Sequence, residues 1–276
     1  MIILDGKKLS KKIFSEIAAE TISFKNKLRL GVVVVEKNAV IEKFIAEKKK
    51  VAQSLGIDIR IYSFRKEITT NELRKKLRDI VHERKNNGVV IQLPMPSHVN
   101  TQYILNAVPP LKDVDVLSAH ACGNFAVGKN PVFPPVVGAV KRFFEEYEIQ
   151  FKDAHIAVLG GGSLVGRPIA LWLMSEKATF TMLRSNTKKP EVFIHHADII
   201  ISGTGKPGSI TAPMVKNGVI VIDAGTSESE GKLSGDVDFN GVSEKSAYIT
   251  PVPGGIGPVT VALLFQNLVT LAKLQR

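Results

Sequence analysis

The chain has 276 residues, of which 44% are hydrophobic, 23% charged and 7% aromatic. This balance is typical of a globular protein and excludes a collagen-like or wholly disordered chain. The single cysteine, Cys122, excludes an intrachain disulfide and a cysteine-based zinc centre, and we predict no metal site. The sequence has no uninterrupted apolar run of about 18 residues. We therefore expect a cytoplasmic protein without a membrane span.

The charge balance favours an anionic ligand. The chain carries 37 basic and 26 acidic residues, a net charge of +11. The basic clusters Lys7–Lys12, Lys48–Lys50 and Lys75–Arg78 contain no interleaved aromatic residues, which a nucleic-acid stacking surface would need. We therefore expect no nucleic-acid partner. Lysines that keep the protein soluble are the stronger explanation of the charge, and a phosphorylated cofactor or a carboxylated substrate is also consistent with it.

Strands and helices alternate in the first third of the chain. The strand candidates are continuous apolar runs, which is typical of a parallel sheet covered on both faces. The predicted strands are Leu30–Val35, Ile57–Phe64 and Gly88–Leu93, and the predicted helices are Leu9–Ile22, Val40–Leu55 and Thr70–Lys85.

A second alternating series follows a proline-rich stretch. Residues Pro94–Gly138 are predicted to be mostly loop, and long loops in compact domains tend to carry function. A helix over Val137–Tyr147 then links two α/β lobes. The further predicted strands are His155–Leu159, Ala178–Leu183, Asp198–Ser202, Gly218–Asp223 and Tyr248–Ile249, and the further helices are Leu164–Met174 and Val259–Leu274.

A glycine-rich turn stands between a strand and a helix. The strand leads into Gly160, Gly161 and Gly162, and Gly166 opens an apolar helix. Glycines let a phosphate approach the backbone amides, and the helix dipole favours its charge. The spacing differs by one residue from G-x-G-x-x-G, so a plain strand-to-helix turn is the alternative. The strand–turn–helix context favours dinucleotide binding.

The end of the next strand indicates which dinucleotide. NAD enzymes usually place a carboxylate there, against the ribose 2′-hydroxyl. Here Leu183 is followed by Arg184 and Ser185, with no acid. This favours a 2′-phosphate and hence NADP. An exposed loop arginine without a ligand is the alternative.

Lys48 falls on the apolar face of its predicted helix, four residues after Phe44 and four before Ala52. An inward-facing lysine loses hydration, which lowers its pKa and makes it a usable acid or base. Alternatively, the stem packs and the amine reaches water.

Two further polar positions stand near the predicted sheet edge. Gln92 ends the apolar run VVIQL, at the end of a strand where ligands bind in open α/β sheets; a hydrogen bond to loop backbone is the alternative. Asp113 and Asp115 lie in the long loop, where turn formation is the ordinary role of aspartate.

These residues and motifs resemble the bifunctional methylenetetrahydrofolate dehydrogenase/cyclohydrolase family. The resemblance runs nearly end to end. It is carried by TPVPGGIGPVTVALL (250–264), VVIQLPMP (89–96), KDVD (112–115), GKPG (205–208), VIDAG (221–225) and GDVDF (235–239).

The resemblance implies two α/β lobes with a cleft between them, the second a Rossmann-like parallel sheet. Residues 1–137 plus 259–276 would form the folate-binding catalytic domain, and 138–258 the NADP-binding domain. The implied reaction oxidises 5,10-methylenetetrahydrofolate with NADP and hydrolyses the methenyl product to 10-formyltetrahydrofolate. A homodimer is also implied.

The resemblance also implies roles for individual residues. Lys48 matches the active-site lysine, Gln92 the glutamine that holds it, and Asp115 the aspartate that binds the pterin ring. The predicted substrate-binding residues are Phe44, Pro253, Gly254 and Gly255, and the predicted cofactor-binding residues are Gly160, Gly161, Gly162, Gly166, Arg184, Ser185 and Thr226.

Several site positions depart from the family pattern. The tyrosine four residues before the lysine is Phe44 here, and Gly161-Gly162 replaces Arg-Ser or Ala-Ser. The stretch Pro134–Val137 lacks the cysteine and threonine of a Cys-Thr-Pro segment. Two alternatives to the bifunctional enzyme therefore stay open: a folate- and NADP-binding paralogue with impaired catalysis, and a dehydrogenase with weak cyclohydrolase activity.

Overall fold

A computed structural model of the protein describes residues 1–36, 39–229 and 232–275. The chain forms two compact units. The glycine-turn unit comprises Met1–Lys11 and Pro135–Thr260, and the lysine unit comprises Lys12–Pro134 and the chain from Val261 onward. The helices are α1 (Gly6–Thr21), α2 (Ala39–Ser54), α3 (Thr70–His82), α4 (Thr101–Leu105), α5 (Ala119–Ala126), α6 (Pro135–Glu146), α7 (Gly166–Ser175), α8 (Pro190–His196), α9 (Phe239–Ser243) and α10 (Ile256–Leu274). The strands are β1 (Ile2–Ile3), β2 (Arg29–Val35), β3 (Asp58–Phe64), β4 (Gly88–Ile91), β5 (His155–Leu159), β6 (Thr179–Leu183), β7 (Ile199–Ser202), β8 (Val219–Asp223), β9 (Ser227–Ser229), β10 (Lys232–Ser234) and β11 (Ser246–Ile249).

The lysine unit contains a three-stranded parallel sheet in the order β3-β2-β4. Helix α3 packs on one face of it, together with α4. Thr69 and Glu72 form a capping box that starts α3, with the Thr69 amide donating to Glu72 Oε2 at 3.0 Å. The helix ends at His82, three residues before the predicted end, because Glu83 takes up an extended conformation. Its buried face is Leu73, Leu77, Ile80 and Val81.

The prediction that Pro94–Gly138 is mostly loop is confirmed, but the sequence did not indicate the short helices within it. The segment contains α4, α5 and the start of α6. Asn100 caps α4 by accepting from the Tyr103 amide at 3.0 Å, and Ser118 caps α5 by accepting from the Ala121 amide. Side-chain caps stabilise helices typically by about 1 kcal/mol each, which favours helix formation even in segments this short.

The glycine-turn unit contains a six-stranded parallel sheet in the order β1-β11-β8-β7-β5-β6. The alternation of strands and helices predicted for this half is confirmed, with ends that differ by a few residues at most. The sequence did not indicate α8, α9 or the antiparallel pair β9–β10.

The first residues of the chain lie in a different unit from the one expected. Met1–Lys11 belong to the glycine-turn unit, whereas the predicted boundaries place them in the catalytic domain. Strand β1 pairs in parallel with β11, with Ile3 opposite Ile249, and the Leu4 amide donates to Ile249 O at 2.8 Å. A two-residue strand has no periodicity of its own, so only the partner strand reveals this placement.

Helix α10 is a core element. By length and composition alone it could cross a membrane, yet 61% of its 18-residue apolar window is buried inside the protein. The Asn267 side chain donates to Val114 O and to Phe133 O, each at 2.8 Å. A buried amide that satisfies two loop carbonyls ties α10 to the segment that carries the aspartates.

Candidate active site and cofactor-binding turn

Helix α2 brings Lys48 to the end of the three-stranded sheet. Its Nζ donates to Gln92 Oε1 at 3.1 Å and lies 5.9 Å from the centre of the Phe44 ring. The side chain is half-buried. Burial lowers the pKa of Lys48, and the charges of Asp115 and Glu47 oppose that shift. The structure thus directs the lysine amine toward polar groups of the lysine unit.

Gln92 is fixed on both sides. Its backbone amide donates to Val33 O at 2.9 Å, which continues the β2–β4 pairing one residue past the strand. Its side-chain Nε2 donates to Leu93 O at 3.0 Å, and the residue is 9% exposed. The hydrogen bond to loop backbone is therefore present, and Gln92 also presents its oxygen to Lys48, as the resemblance implies; its contact with a ligand stays a prediction.

Asp113 and Asp115 have different surroundings. Asp113 is buried, and its Oδ2 accepts from the amides of Leu117 at 3.0 Å and Ser118 at 2.8 Å. Asp113 therefore stabilises a turn, which is the ordinary role predicted for an aspartate in a loop. Asp115 is instead coupled electrostatically to Lys48, and burial raises its pKa to about 6 even though the Lys48 charge lowers it.

The Lys48–Asp115 pair is suited to proton transfer. Burial disfavours the charged form of both groups, while each charge favours the other. Burial is the larger effect in both groups, so it lowers the pKa of Lys48, raises that of Asp115 and brings the two values closer together.

The glycine turn depends on close backbone approach. Gly160 has φ +92°, and a Cβ there would overlap Gly203 O. A Cβ on Gly166, where α7 begins, would overlap Gly160 O. Any larger residue at these two positions would force the turn apart. Gly162 has open space around it, with no atom within 4 Å of an added Cβ, so its backbone is accessible.

Arg184 lies beside this turn. Strands β5 and β6 are in register at Leu159 and Leu183, and the Gly160 amide donates to Leu183 O at 2.9 Å. Arg184 and Ser185, which follow β6, are exposed. An open glycine backbone, a helix start and an exposed cation fit the pyrophosphate and 2′-phosphate of NADP.

Two buried carboxylates that sequence reasoning did not select hold the neighbouring loops. Asp236 accepts from Ser202 Oγ at 2.6 Å and from the amides of Thr204 at 2.6 Å and Lys206 at 3.0 Å. Asp223 accepts from the amides of Gly225 at 2.9 Å and Val237 at 3.0 Å. Burial raises the pKa of Asp223 to about 6, and the charge of Asp236 adds to the rise. The sequence signals that could have identified them are the position of Asp223 at the end of β8 and that of Asp236 in the GDVDF motif.

The remaining predicted positions lie in loops of the glycine-turn unit. Thr226 is exposed and directly follows Gly225, where a Cβ would overlap the Asp236 carboxylate. Pro253 is exposed, and Gly254 has φ +111°. The Gly255 amide donates to Pro251 O at 2.8 Å, and its carbonyl lies against Gly6 at the start of α1. The local backbone therefore explains the glycines at positions 225, 254 and 255. The contact of Thr226 with cofactor, and of Pro253, Gly254 and Gly255 with substrate, stays a prediction.

Comparisons with known proteins agree with this geometry. Residues 4–115 match the domain family "Tetrahydrofolate dehydrogenase/cyclohydrolase, catalytic domain", and residues 134–276 match the corresponding "NAD(P)-binding domain". The "Bifunctional protein FolD" of Nautilia profundicola is 41% identical, over 99% of this chain and 98% of that protein. The crystal structure of the bifunctional FolD from Campylobacter jejuni has a TM-score of 0.96 at 35% identity and covers all of both chains. The Trypanosoma brucei FolD, solved with NADP and an inhibitor, has a TM-score of 0.94 at 28% identity, over 100% of this chain and 98% of that one. The chain belongs to the tetrahydrofolate dehydrogenase/cyclohydrolase family.

Proposed function

We propose that this protein oxidises 5,10-methylenetetrahydrofolate with NADP and hydrolyses the 5,10-methenyl product to 10-formyltetrahydrofolate. The observation that carries the proposal is the 3.1 Å hydrogen bond from Lys48 Nζ to Gln92 Oε1. Asp115, whose pKa is raised by burial, interacts electrostatically with the same lysine. Membership of the family supports the same reaction.

In the oxidation, the residues of this chain act mainly by positioning. NADP, when bound, supplies the nicotinamide ring that accepts a hydride from the methylene carbon. The amides of Gly161 and Gly162 and the start of α7 would bind its phosphates, while Gly160, whose amide is bonded to Leu183 O, shapes the turn. Ser185 and Thr226 lie in neighbouring loops. Asp115 accepts hydrogen bonds from the pterin and orients the folate. Holding two reactants in a reactive geometry lowers a barrier without any proton transfer.

In the hydrolysis, Lys48 transfers protons. Its neutral amine takes a proton from the water whose oxygen bonds to the methenyl carbon. The resulting ammonium then gives that proton to the folate nitrogen as the carbon–nitrogen bond breaks, and the remaining hydroxyl proton is released to solvent as the formyl C=O forms. Gln92 keeps the amine in place through both steps. A lysine with a lowered pKa suits both roles better than an ordinary one.

A dehydrogenase with weak cyclohydrolase activity is the second candidate, and Phe44 favours it. The Phe44 ring lies one helical turn before Lys48, with its centre 5.9 Å from Nζ. The ring preserves packing but offers no hydroxyl to the amine. The absence of this hydroxyl affects the proton-transfer step more than the hydride-transfer step.

One assay decides between these candidates. Purified protein is mixed with 5,10-methylenetetrahydrofolate and NADP, and the methenyl absorbance is followed as it appears and then decays, with the enzyme-free decay subtracted. Appearance and accelerated decay support the bifunctional enzyme. Appearance without accelerated decay supports the dehydrogenase. Binding of both ligands without either reaction supports the impaired paralogue.

We further propose that the enzyme works in the cytoplasm as a homodimer, independent of membranes and nucleic acids, and that its formyl product supplies purine biosynthesis. The single cysteine, Cys122, fits a reducing compartment, and the small folate substrate needs no macromolecular partner. Light scattering at micromolar concentration tests the dimer, and a monomer mass would contradict it.

A further inference from the structure

The backbone carbonyls on the two sides of Asp115 are both bound by side chains of helices. Val114 O accepts from Asn267 Nδ2 of α10 at 2.8 Å. Val116 O accepts from Cys122 Sγ of α5 at 3.1 Å. Two helices of the lysine unit therefore hold the chain immediately before and after this carboxylate.

The side-chain amide of Asn267 is fully engaged. It also donates to Phe133 O at 2.8 Å, so both of its hydrogens are used, and the residue is buried. Val114 O and the Asp115 amide belong to the same planar peptide unit. The bond from Asn267 therefore fixes the plane in which the chain enters Asp115.

The backbone just after Asp115 has an unusual conformation. Val116 has φ +57°, in the left-handed region that β-branched residues rarely adopt. Such a conformation persists only where the surrounding contacts determine it. Here Val116 O accepts from Cys122, the Val116 amide donates to Asp113 O at 3.3 Å, and the side chains of Val114 and Val116 are buried. The half-buried Asp115 is thus held between two anchored valines.

The position of Asp115 matters because its carboxylate interacts electrostatically with Lys48 and Asp113. Electrostatic energies depend on distance, and a displacement of about 1 Å at a reacting group can cost about 10²-fold in rate. We propose that Asn267 and Cys122 are positioning residues that hold the Asp115 carboxylate beside Lys48 by binding the carbonyls on its two sides. This inference rests on the proposed function, because that function gives Asp115 its role toward folate.

Carbon-13 NMR of the Asp115 carboxyl in the ligand-free full chain tests the positioning without any reaction. Burial raises the pKa of Asp115 to about 6, so a carboxylate that moves toward water should titrate nearer its ordinary value of about 3.9. Asn267→Leu keeps the approximate size of the side chain and removes both donors. The Asp115 midpoint should fall by at least about one pH unit in this variant.

Variants of Cys122 provide a milder test of the same idea. In Cys122→Ala the Asp115 midpoint should fall by less than in Asn267→Leu, because a thiol is a weak donor. In Cys122→Ser, which keeps a donor, the midpoint should return toward the wild-type value. If Asn267→Leu does not fold, these two variants decide, and an equal midpoint in Cys122→Ala and the wild type overturns the proposal.

Asn86→Leu is the matched control. Asn86 is a buried asparagine of the same unit, and its Nδ2 donates to Tyr62 Oη and Ile80 O, each at 2.9 Å. This variant also loses two amide bonds, so it should lower the stability of the fold and leave the Asp115 midpoint unchanged. The proposal is overturned if Asn267→Leu leaves the midpoint unchanged, or if both leucine variants move it equally.

Binding of 5-formyltetrahydrofolate, a stable reduced folate, separates this proposal from the proposed function. In calorimetry, Asn267→Leu should weaken folate binding about 3- to 10-fold, have no further effect in an Asp115→Ala background, and leave NADP binding unchanged. Equal weakening in both backgrounds would contradict positioning through Asp115. If the wild type binds no folate, the proposed function fails, whereas the titration of Asp115 still reports on Asn267.

Discussion

The lysine site and the glycine turn are built from different parts of the chain. In the first, three side chains from separate elements, Lys48, Gln92 and Asp115, form one hydrogen-bonded or electrostatically coupled group. In the second, backbone forms the site, because Gly160 and Gly166 leave no room for side chains. Substitutions in the lysine site should therefore change the rates of proton transfer, whereas substitutions in the turn should change cofactor affinity.

Asp115 and Asp223 have similar pKa values but different neighbours. Burial raises the pKa of both Asp115 and Asp223 to about 6. Asp115 is coupled to the cation Lys48, while Asp223 accepts from the backbone amides of Gly225 and Val237. A raised pKa therefore marks burial, and the neighbours decide whether the carboxylate serves chemistry or loop structure.

The largest expected effect is at Lys48. Lys48→Met keeps the length of the side chain and removes its protons, so methenyl hydrolysis should fall about 10²- to 10⁴-fold, the usual contribution of a general acid or base. Lys49→Met, at the exposed next position, is the matched control and should leave hydrolysis unchanged. Stopped-flow decay of methenyltetrahydrofolate measures both, and unchanged hydrolysis in Lys48→Met would reject the role of this lysine.

Asp223→Asn should alter the pH dependence of stability. The folded-state pKa of about 6 lies above the unfolded value of about 3.9, so protonation of Asp223 stabilises the fold below pH ~4, and this stabilisation is lost as pH rises through about 6. The wild type should thus lose about 3 kcal/mol relative to the variant between pH ~4 and ~7. Urea unfolding of both proteins across this range measures the difference. A pH-independent difference would place the Asp223 pKa near its ordinary value.

Phe44→Tyr should raise hydrolysis more than oxidation. The added hydroxyl lies one turn before Lys48 and can bond its amine, which contributes about 1.5–3 kcal/mol, or roughly 10- to 100-fold in rate. Phe44→Leu, which also lacks a hydroxyl, should not gain hydrolysis. Initial rates of both half-reactions provide the measurement. If tyrosine raises neither rate, the impaired-paralogue hypothesis gains.

Much of the fold follows from local sequence, while the pairings that complete it do not. The apolar runs around Val33, Val90 and Val158 predict parallel strands because burial on both faces leaves no polar position in them. Strand β1 escapes prediction because its two residues become a strand only by pairing with β11, far along the chain. Helices α4 and α5, which Asn100 and Ser118 cap, are not predicted because they are short and lie in a proline-rich stretch.

In the candidate site, too, local sequence predicts single positions but not the contacts between distant residues. Helical spacing places Lys48 on the inner face, and strand position places Gln92 at the sheet edge. Local sequence does not predict the different roles of Asp113 and Asp115, because both stand in one loop and only their three-dimensional neighbours distinguish them. The position of Arg184 beside the glycine turn likewise depends on the register of β5 and β6.

The role of Lys48 in proton transfer can be tested by the pH profile of methenyl hydrolysis in the wild type and in Asp115→Asn. The profile is measured at saturating substrate, after subtraction of the enzyme-free rate. The carboxylate of Asp115 raises the pKa of Lys48, while burial lowers it. Removing that charge should therefore move the limb of the profile set by Lys48 to lower pH, while Lys48→Met should lack this limb altogether. A limb at the same pH in both proteins, or one that persists in Lys48→Met, would contradict a proton-transferring lysine coupled to Asp115.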